Sequence, residues 1–175
     1  MRKTKFIQCL RTNPNRDKYR LWKQQGLLNV TPGNVTDYDY IASKIQEINE
    51  QIPISLISYD AWNATQLAIN LTNLGYNLQP LSQSIGSLNR PSKELQRLIM
   101  SGKIVLYPNS IDVFCFQNCV PKYDLNDNLK ITKTSWQNKI DGVIAGITAL
   151  GGYLNTTNYN VDVFGFSFGD NFSEN

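Results

Sequence analysis

The sequence contains no histidine. That excludes Ser-His-Asp and Cys-His nucleophile pairs, zinc sites that use imidazole, and any pH switch built on histidine. Cysteine is scarce as well. Cys9, Cys115 and Cys119 are odd in number and lack the paired spacing of a zinc site, so they read as reduced thiols. Cys115 and Cys119 stand four apart, on one face of a helix, and read as packing residues rather than ligands. No apolar run approaches the roughly 18 residues that span a bilayer. The basic start Met1-Arg2-Lys3 leads into no apolar signal core. A G-x-x-x-x-G-K-[ST] loop is missing, since Gly102-Lys103 is followed by Ile104 and has no upstream glycine in register, which argues against an ATPase motor within these residues. Six Asn-x-Ser/Thr matches, at Asn29, Asn34, Asn63, Asn70, Asn155 and Asn171, follow from heavy Asn and Thr usage and carry no weight without a secretory signal.

What is present is enough for one domain with a packed core: 175 residues, 41% hydrophobic and 11% aromatic. The formal net charge of +3 is unevenly spread. Residues 1–23 carry eight basic side chains against Asp17 alone, and the rest carries nine against thirteen acids. Such a leading segment suits contact with a phosphate backbone, or simply a solvated strand and helix surface.

Pattern and punctuation predict an alternation of helices and short strands. Residues 5–11 read as a strand, broken by Asn13-Pro14-Asn15, and residues 16–25 as a helix stopped by Gly26. Residues 27–30 read as a strand closed by the Pro32-Gly33-Asn34 turn. Asp37 opens a helix that ends before Pro53, with Asp37 and Asp39 serving its first turn. Residues 54–59 read as an apolar strand ended by Asp60. A helix over 61–74, capped by Gly75, follows it. Residues 77–83 read as a strand, Pro91 as a helix start with Gly102 as its stop, and residues 103–107 as a brief strand. Residues 111–119 read as a short helix, with Asp112 a first-turn charge. Asn126-Asp127-Asn128 joins a hairpin of residues 123–125 and 129–132. A helix opens at Lys139-Ile140-Asp141 and ends near Gly151-Gly152, where Gly142, Ala145, Gly146 and Ala149 let it lie close to a sheet. Residues 155–175 lack basic residues, and Val161, Val163, Phe164, Phe166 and Phe168 alternate as in a strand.

Two acids stand where chemistry is commonly placed. Asp60 follows a buried-looking strand, and Asp141 sits in the first turn of a late apolar helix. Each is also a good N-cap. If the two meet, their mutual repulsion calls for a divalent cation, and oxygen-only ligands suit Mg²⁺ or Mn²⁺. Such sites hydrolyse phosphodiesters without histidine. Trp62 and Trp136 read as core or sheet-packing residues. Arg90, Lys93, Lys130 and Lys133 are candidates for a DNA groove, and Lys139 for reaching a phosphate or neutralising the two acids, with ordinary surface charge as the alternative.

Four runs carry a family resemblance. They are Leu27-Leu28-Asn29-Val30-Thr31-Pro32-Gly33-Asn34-Val35-Thr36-Asp37-Tyr38-Asp39, then Tyr59-Asp60-Ala61-Trp62-Asn63-Ala64-Thr65-Gln66-Leu67, then Arg90-Pro91-Ser92-Lys93-Glu94-Leu95 with Gly102-Lys103, and Lys139-Ile140-Asp141-Gly142-Val143-Ile144-Ala145. In order and spacing, over about residues 19–154, they resemble the nuclease half of tailed-phage terminase large subunits. The resemblance implies an α/β fold with a ribonuclease H-like mixed sheet flanked by helices. It also implies endonucleolytic cleavage of duplex DNA by a two-metal mechanism during genome packaging, with Asp60 and Asp141 as catalytic metal ligands. Mg²⁺ or Mn²⁺ is the implied cofactor, two ions in a complete domain. Arg90, Lys93, Lys133 and Lys139 remain candidates for contact with that DNA. Implied partners are duplex DNA, the ATPase-bearing part of the large subunit, the small terminase subunit and the portal protein, in the host cytoplasm with a phage or prophage origin and no membrane. The family's first metal-binding Asp, on its first strand, has no counterpart in these residues. The expected organisation is therefore a partial nuclease domain over 1–154 and an aromatic, acidic tail over 155–175. The competing expectations are a catalytically inactive remnant that binds DNA or packaging partners, and a junction-resolving nuclease of the same fold.

Overall fold

The computed structural model describes residues 13–31, 35–62, 64–106 and 109–156. The strand read at 5–11, the turn at Pro32-Gly33-Asn34 and the aromatic alternation after residue 160 lie outside them. Among the described residues, six helices and four short strands run in the order α1 (Arg16–Gln24), α2 (Tyr38–Gln51), β1 (Ile57–Tyr59), α3 (Thr65–Asn73), β2 (Leu78–Pro80), α4 (Ile85–Met100), α5 (Ser110–Gln117), β3 (Val120–Tyr123), β4 (Leu129–Thr132) and α6 (Asp141–Thr156).

Helix ends obey local rules. Asp37 caps α2, its Oδ1 accepting from the Tyr40 N–H at 2.9 Å. At the end of α1, Gly26 has φ 72°, a conformation that costs a side chain but not glycine. It lets the Leu27 N–H reach the Trp22 carbonyl at 2.9 Å while its own N–H reaches Lys23. Helices α3 and α4 close in the same way at Gly75 and Gly102.

Elsewhere the elements depart from the sequence pattern. Residues 27–30 form no strand, because Leu27 and Leu28 both donate their N–H groups to Trp22. Residues 103–106 form none either: Lys103 donates back to Leu98, and Val105 is exposed. Pro91 does not start a helix. Ser84 does, its Oγ accepting from the Ser87 N–H, and Pro91 lies inside α4. An interior proline forfeits a helix bond and costs roughly 3 kcal/mol. Here it is buried against α6 in compensation, beside Gly151. The hairpin's first strand ends at Tyr123, and Leu125 is fully exposed in the turn.

The strands of the described residues pair as two small sheets, one parallel and one antiparallel, flanked by helices. β1 and β2 run parallel, Ile57 opposite Leu78 and Tyr59 opposite Pro80. β3 and β4 are antiparallel, with Lys122 opposite Lys130. The core joins Leu81, Leu88, Leu95, Cys115, Val143 and Ile147 from β2's end, α4, α5 and α6. Cys119 packs against it and its thiol donates to the Cys115 carbonyl, so the packing reading of both thiols holds. A smaller cluster stacks Tyr19, Trp22 and Phe114, with the Lys18 ammonium 4.1 Å from the Phe114 ring centre.

Candidate functional site

β1 carries the chain to the first acid. Its ladder with β2 persists to the last possible bond, the Leu81 N–H donating to the Tyr59 carbonyl at 2.8 Å. Asp60 then turns the chain, its Oδ1 accepting from the Trp62 N–H at 3.1 Å. Asp60 does not cap α3, whose N-cap is Ala64 with no side-chain bond, so the capping alternative for Asp60 gives way to an Asx turn. Asp141 is the first residue of α6 rather than its N-cap, and a negative charge there suits the helix dipole.

Both acids are exposed and both line one groove of about 480 Å³. Ser58, Gln83, Lys130, Lys133, Ala145 and Thr148 are among the other lining residues. Helical spacing explains the convergence. Asp141, Ala145, Thr148 and Gly152 form one stripe of α6. At Gly152 the helix lies so close to β1 that a Cβ would fall 1.7 Å from Ser58 Oγ and 2.9 Å from its Cβ. Gly151 is similarly pressed, 2.6 Å from Leu81 Cδ2. Strand alternation sets Asp60 on the same side of β1 as Ser58. The glycines expected to end α6 are instead what let it pack, and the helix continues to Thr156. Gly146, expected at a close approach, faces open space, while Gly142 lies against Asp112 Oδ1.

The other wall of the groove is β4. Lys130 donates from Nζ to the Gln83 carbonyl at 2.6 Å, and Gln83 Nε2 reaches Thr148 Oγ1 at 3.4 Å. Lys133 follows on the same wall, exposed. Of the remaining basic candidates, Arg90 and Lys93 lie exposed on α4, and Lys93 pairs with Asp127 at 3.1 Å. Lys139 is half-buried ahead of α6 and does not line the groove, and its carbonyl accepts from Asn118. Trp62 and Trp136 are not core residues. They are 81% and 61% exposed, Trp62 in the turn at Asp60 and Trp136 in the loop before α6.

Two titrations bear on the site. Burial raises the pKa of Tyr19, opposed by a hydrogen bond from Asn15, and the charge of Asp141 raises it further. Burial, with Cys115 beside it, pushes the Cys119 thiol up to about 11, which removes it as a nucleophile near neutral pH. Among the described residues no group of three or more acidic or thiol side chains is arranged to hold a metal ion. Nor is any described helix long and apolar enough to cross a membrane.

Sequence reasoning could single out both acids by position in their elements. It missed Ser58, Gln83 and Thr148, whose only signal is periodicity relative to those acids.

Comparison with known proteins gives this arrangement its context. Protein YmfN of Escherichia coli K12 is 33% identical over 137 residues, covering 77% of this chain and 30% of that protein. The terminase large subunit of Enterobacteria phage HK97 is 27% identical over 144 residues, covering 81% of this chain and 28% of that protein. The chain thus spans under a third of the length of these curated relatives. The crystal structure of the HK97 large terminase superposes with a TM-score of 0.72 at 26% identity, over 81% of this chain and 30% of that one. The large terminase nuclease of thermophilic phage G20c superposes with a TM-score of 0.55 at 16% identity, over 67% and 63% of the two chains. Its likeness bears on fold alone, and the fold of these nuclease domains is ribonuclease H-like. The family model described as terminase large subunit, endonuclease domain, matches residues 3–156, reaching further upstream than the stretch from about residue 19 over which the sequence motifs carry the resemblance. This chain belongs to the terminase large subunit endonuclease domain family.

Proposed function

We propose that the chain is the nuclease portion of a phage DNA-packaging terminase large subunit and hydrolyses phosphodiester bonds of duplex DNA with the help of divalent metal. The observation that carries this reading is the shared groove, with Asp60 and Asp141 on one wall and Lys130 and Lys133 on the other. The donor set fits a hard cation. Asp60 commits one carboxylate oxygen to the Trp62 N–H, and no other hydrogen bond or ion pair of either acid is found among the described residues. Mg²⁺ and Mn²⁺ are bound by carboxylates together with water and substrate phosphate oxygens, so two acids are a sufficient protein contribution to one ion. A divalent cation held by Asp60 and Asp141 would supply charge to the phosphate oxygens and ease the attack of water. Lys130 and Lys133 hold the flanking backbone by charge, and Lys139, Arg90 and Lys93 extend that contact outside the groove. Packaging partners, namely the ATPase part of the subunit, the small subunit and the portal, follow from the same reading, as does work in the host cytoplasm.

The test is metal-dependent nicking of plasmid DNA by this chain, wild type against Asp60→Asn and Asp141→Asn. Activity falling to background in both variants, with Mg²⁺ or Mn²⁺ binding by calorimetry weakened in each, is the expected result. Unchanged nicking in both ends the assignment. A second reading, an inactive module that binds DNA or packaging partners, is favoured by the lack of a third converging acid among the described residues. Duplex binding with neither metal uptake nor nicking would establish it.

A further inference from the structure

The β3–β4 hairpin carries a feature that folding alone disfavours. Its register sets Lys122 directly opposite Lys130. Like charges at directly opposed positions destabilise a strand pair. Of the neighbouring pairs on that face, Val120 and Thr132 carry no acid, and Asp124, beside Asn128 toward the turn, gives its carboxylate to Asn126 and Asn128. Lys122 is exposed, and no hydrogen bond or ion pair of its side chain is found among the described residues. The Lys130 bond to the Gln83 carbonyl uses one of its three donors and fixes the ammonium in place, and no ion pair of Lys130 is found among the described residues. The hairpin's acids are committed at the turn. Asp124 accepts from Asn126 and Asn128, and Asp127 pairs with Lys93. Cross-strand partners project to one face, so Lys122 extends the face on which Lys130 meets the groove.

We infer that this face is a grip for the phosphate backbone of duplex DNA, with Lys122 a positioning residue that leads the strand into the Asp60–Asp141 groove. The ladder of two opposed ammonium groups, followed by Lys133, suits a polyanion that neutralises all three and carries no sequence preference. This inference rests on the nuclease reading for the groove but not for the binding itself.

The experiment is fluorescence anisotropy of this chain with a short labelled DNA duplex across a salt series. Lys122→Gln is expected to weaken binding equally for two unrelated sequences, and to lower the slope of log K against log[salt] by about one. Lys122→Gln with Lys130→Gln is expected to lower the slope by about two. Lys44→Gln, on α2 and paired with Glu47, serves as the unaffected control. Lys122→Glu is the discriminating variant, because pairing with Lys130 raises the melting temperature while duplex affinity falls. Unchanged affinity and slope in Lys122→Gln, or no duplex binding by the wild type, overturns the grip. If the slope falls while Asp60→Asn and Asp141→Asn keep full nicking, the grip stands and the nuclease assignment of those acids fails.

Discussion

The two walls of the groove are built on different principles. The acidic wall is made by backbone approach: α6 rides on β1 at Gly152 and on Leu81 at Gly151, with no room for a single methyl group. The basic wall is made by side chains. Leu129 is 2% exposed, its N–H donates to Asn89 Oδ1, and Asn89 Nδ2 donates to Asn128, fastening the hairpin to α4. Groups that hold a reacting phosphate need placement within a fraction of an ångström. Groups that neutralise a backbone act through charge over several ångströms and tolerate looser mounting. On the proposed reading of the groove, the difference in construction matches that difference in demand.

Substitutions can break this contrast. Gly152→Ala forces α6 off β1 and is expected to cost roughly 3 kcal/mol in chemical denaturation, at the upper end of overpacking effects. Combining it with Ser58→Gly removes the atoms it strikes and should recover part of the loss, a coupling readable as a double-mutant cycle. On the same helix Gly146→Ala, facing open space, should instead stabilise by up to about 1 kcal/mol. Equal effects at the two glycines would remove the close-approach explanation.

The basic wall answers to a gentler probe. Leu129→Ala is expected to cost about 2–3 kcal/mol, the lower part of the range for a buried leucine. Loosening the hairpin should weaken duplex binding more than metal binding. A variant that lost metal affinity and kept its duplex affinity would show that the walls are not independent.

The smallest effect is at the hairpin turn. Hydrogen bonds from Asn128, then from Asn126, hold the Asp124 carboxyl below its ordinary value. A lowered carboxyl adds stability that is present above the unfolded-state value, near 3.8, and is lost as pH falls through the lower folded one. Asp124→Asn should therefore lower stability slightly at neutral pH, flatten the acid limb of the melting curve below about pH 4, and converge with wild type in acid.

Much of this was legible in the residues, and each failure has a physical cause. Gly26, Gly75, Gly102 and Asp37 announce helix ends because capping is a local matter, settled within a few residues. Asp60 and Asp141 could be picked out because each follows a recognisable boundary. Pro91 and Gly151-Gly152 misled because their meaning is tertiary. A proline buried inside α4 and two glycines inside α6 are intelligible only once the two helices are seen to pack. Trp62 and Trp136 misled for the opposite reason, since aromatic bulk suggests burial and both are exposed. The opposed lysines of the hairpin were invisible until the register of β3 and β4 was known.

The central claim is that Asp60 and Asp141 act together on one metal-assisted reaction. The most direct measurement is plasmid nicking in Mg²⁺ or Mn²⁺ by wild type, Asp60→Asn, Asp141→Asn and the double variant, with folding checked by circular dichroism. Residues that act as a unit are non-additive, so each single variant should fall to the same background as the double. Folded single variants that retain wild-type nicking would contradict the claim.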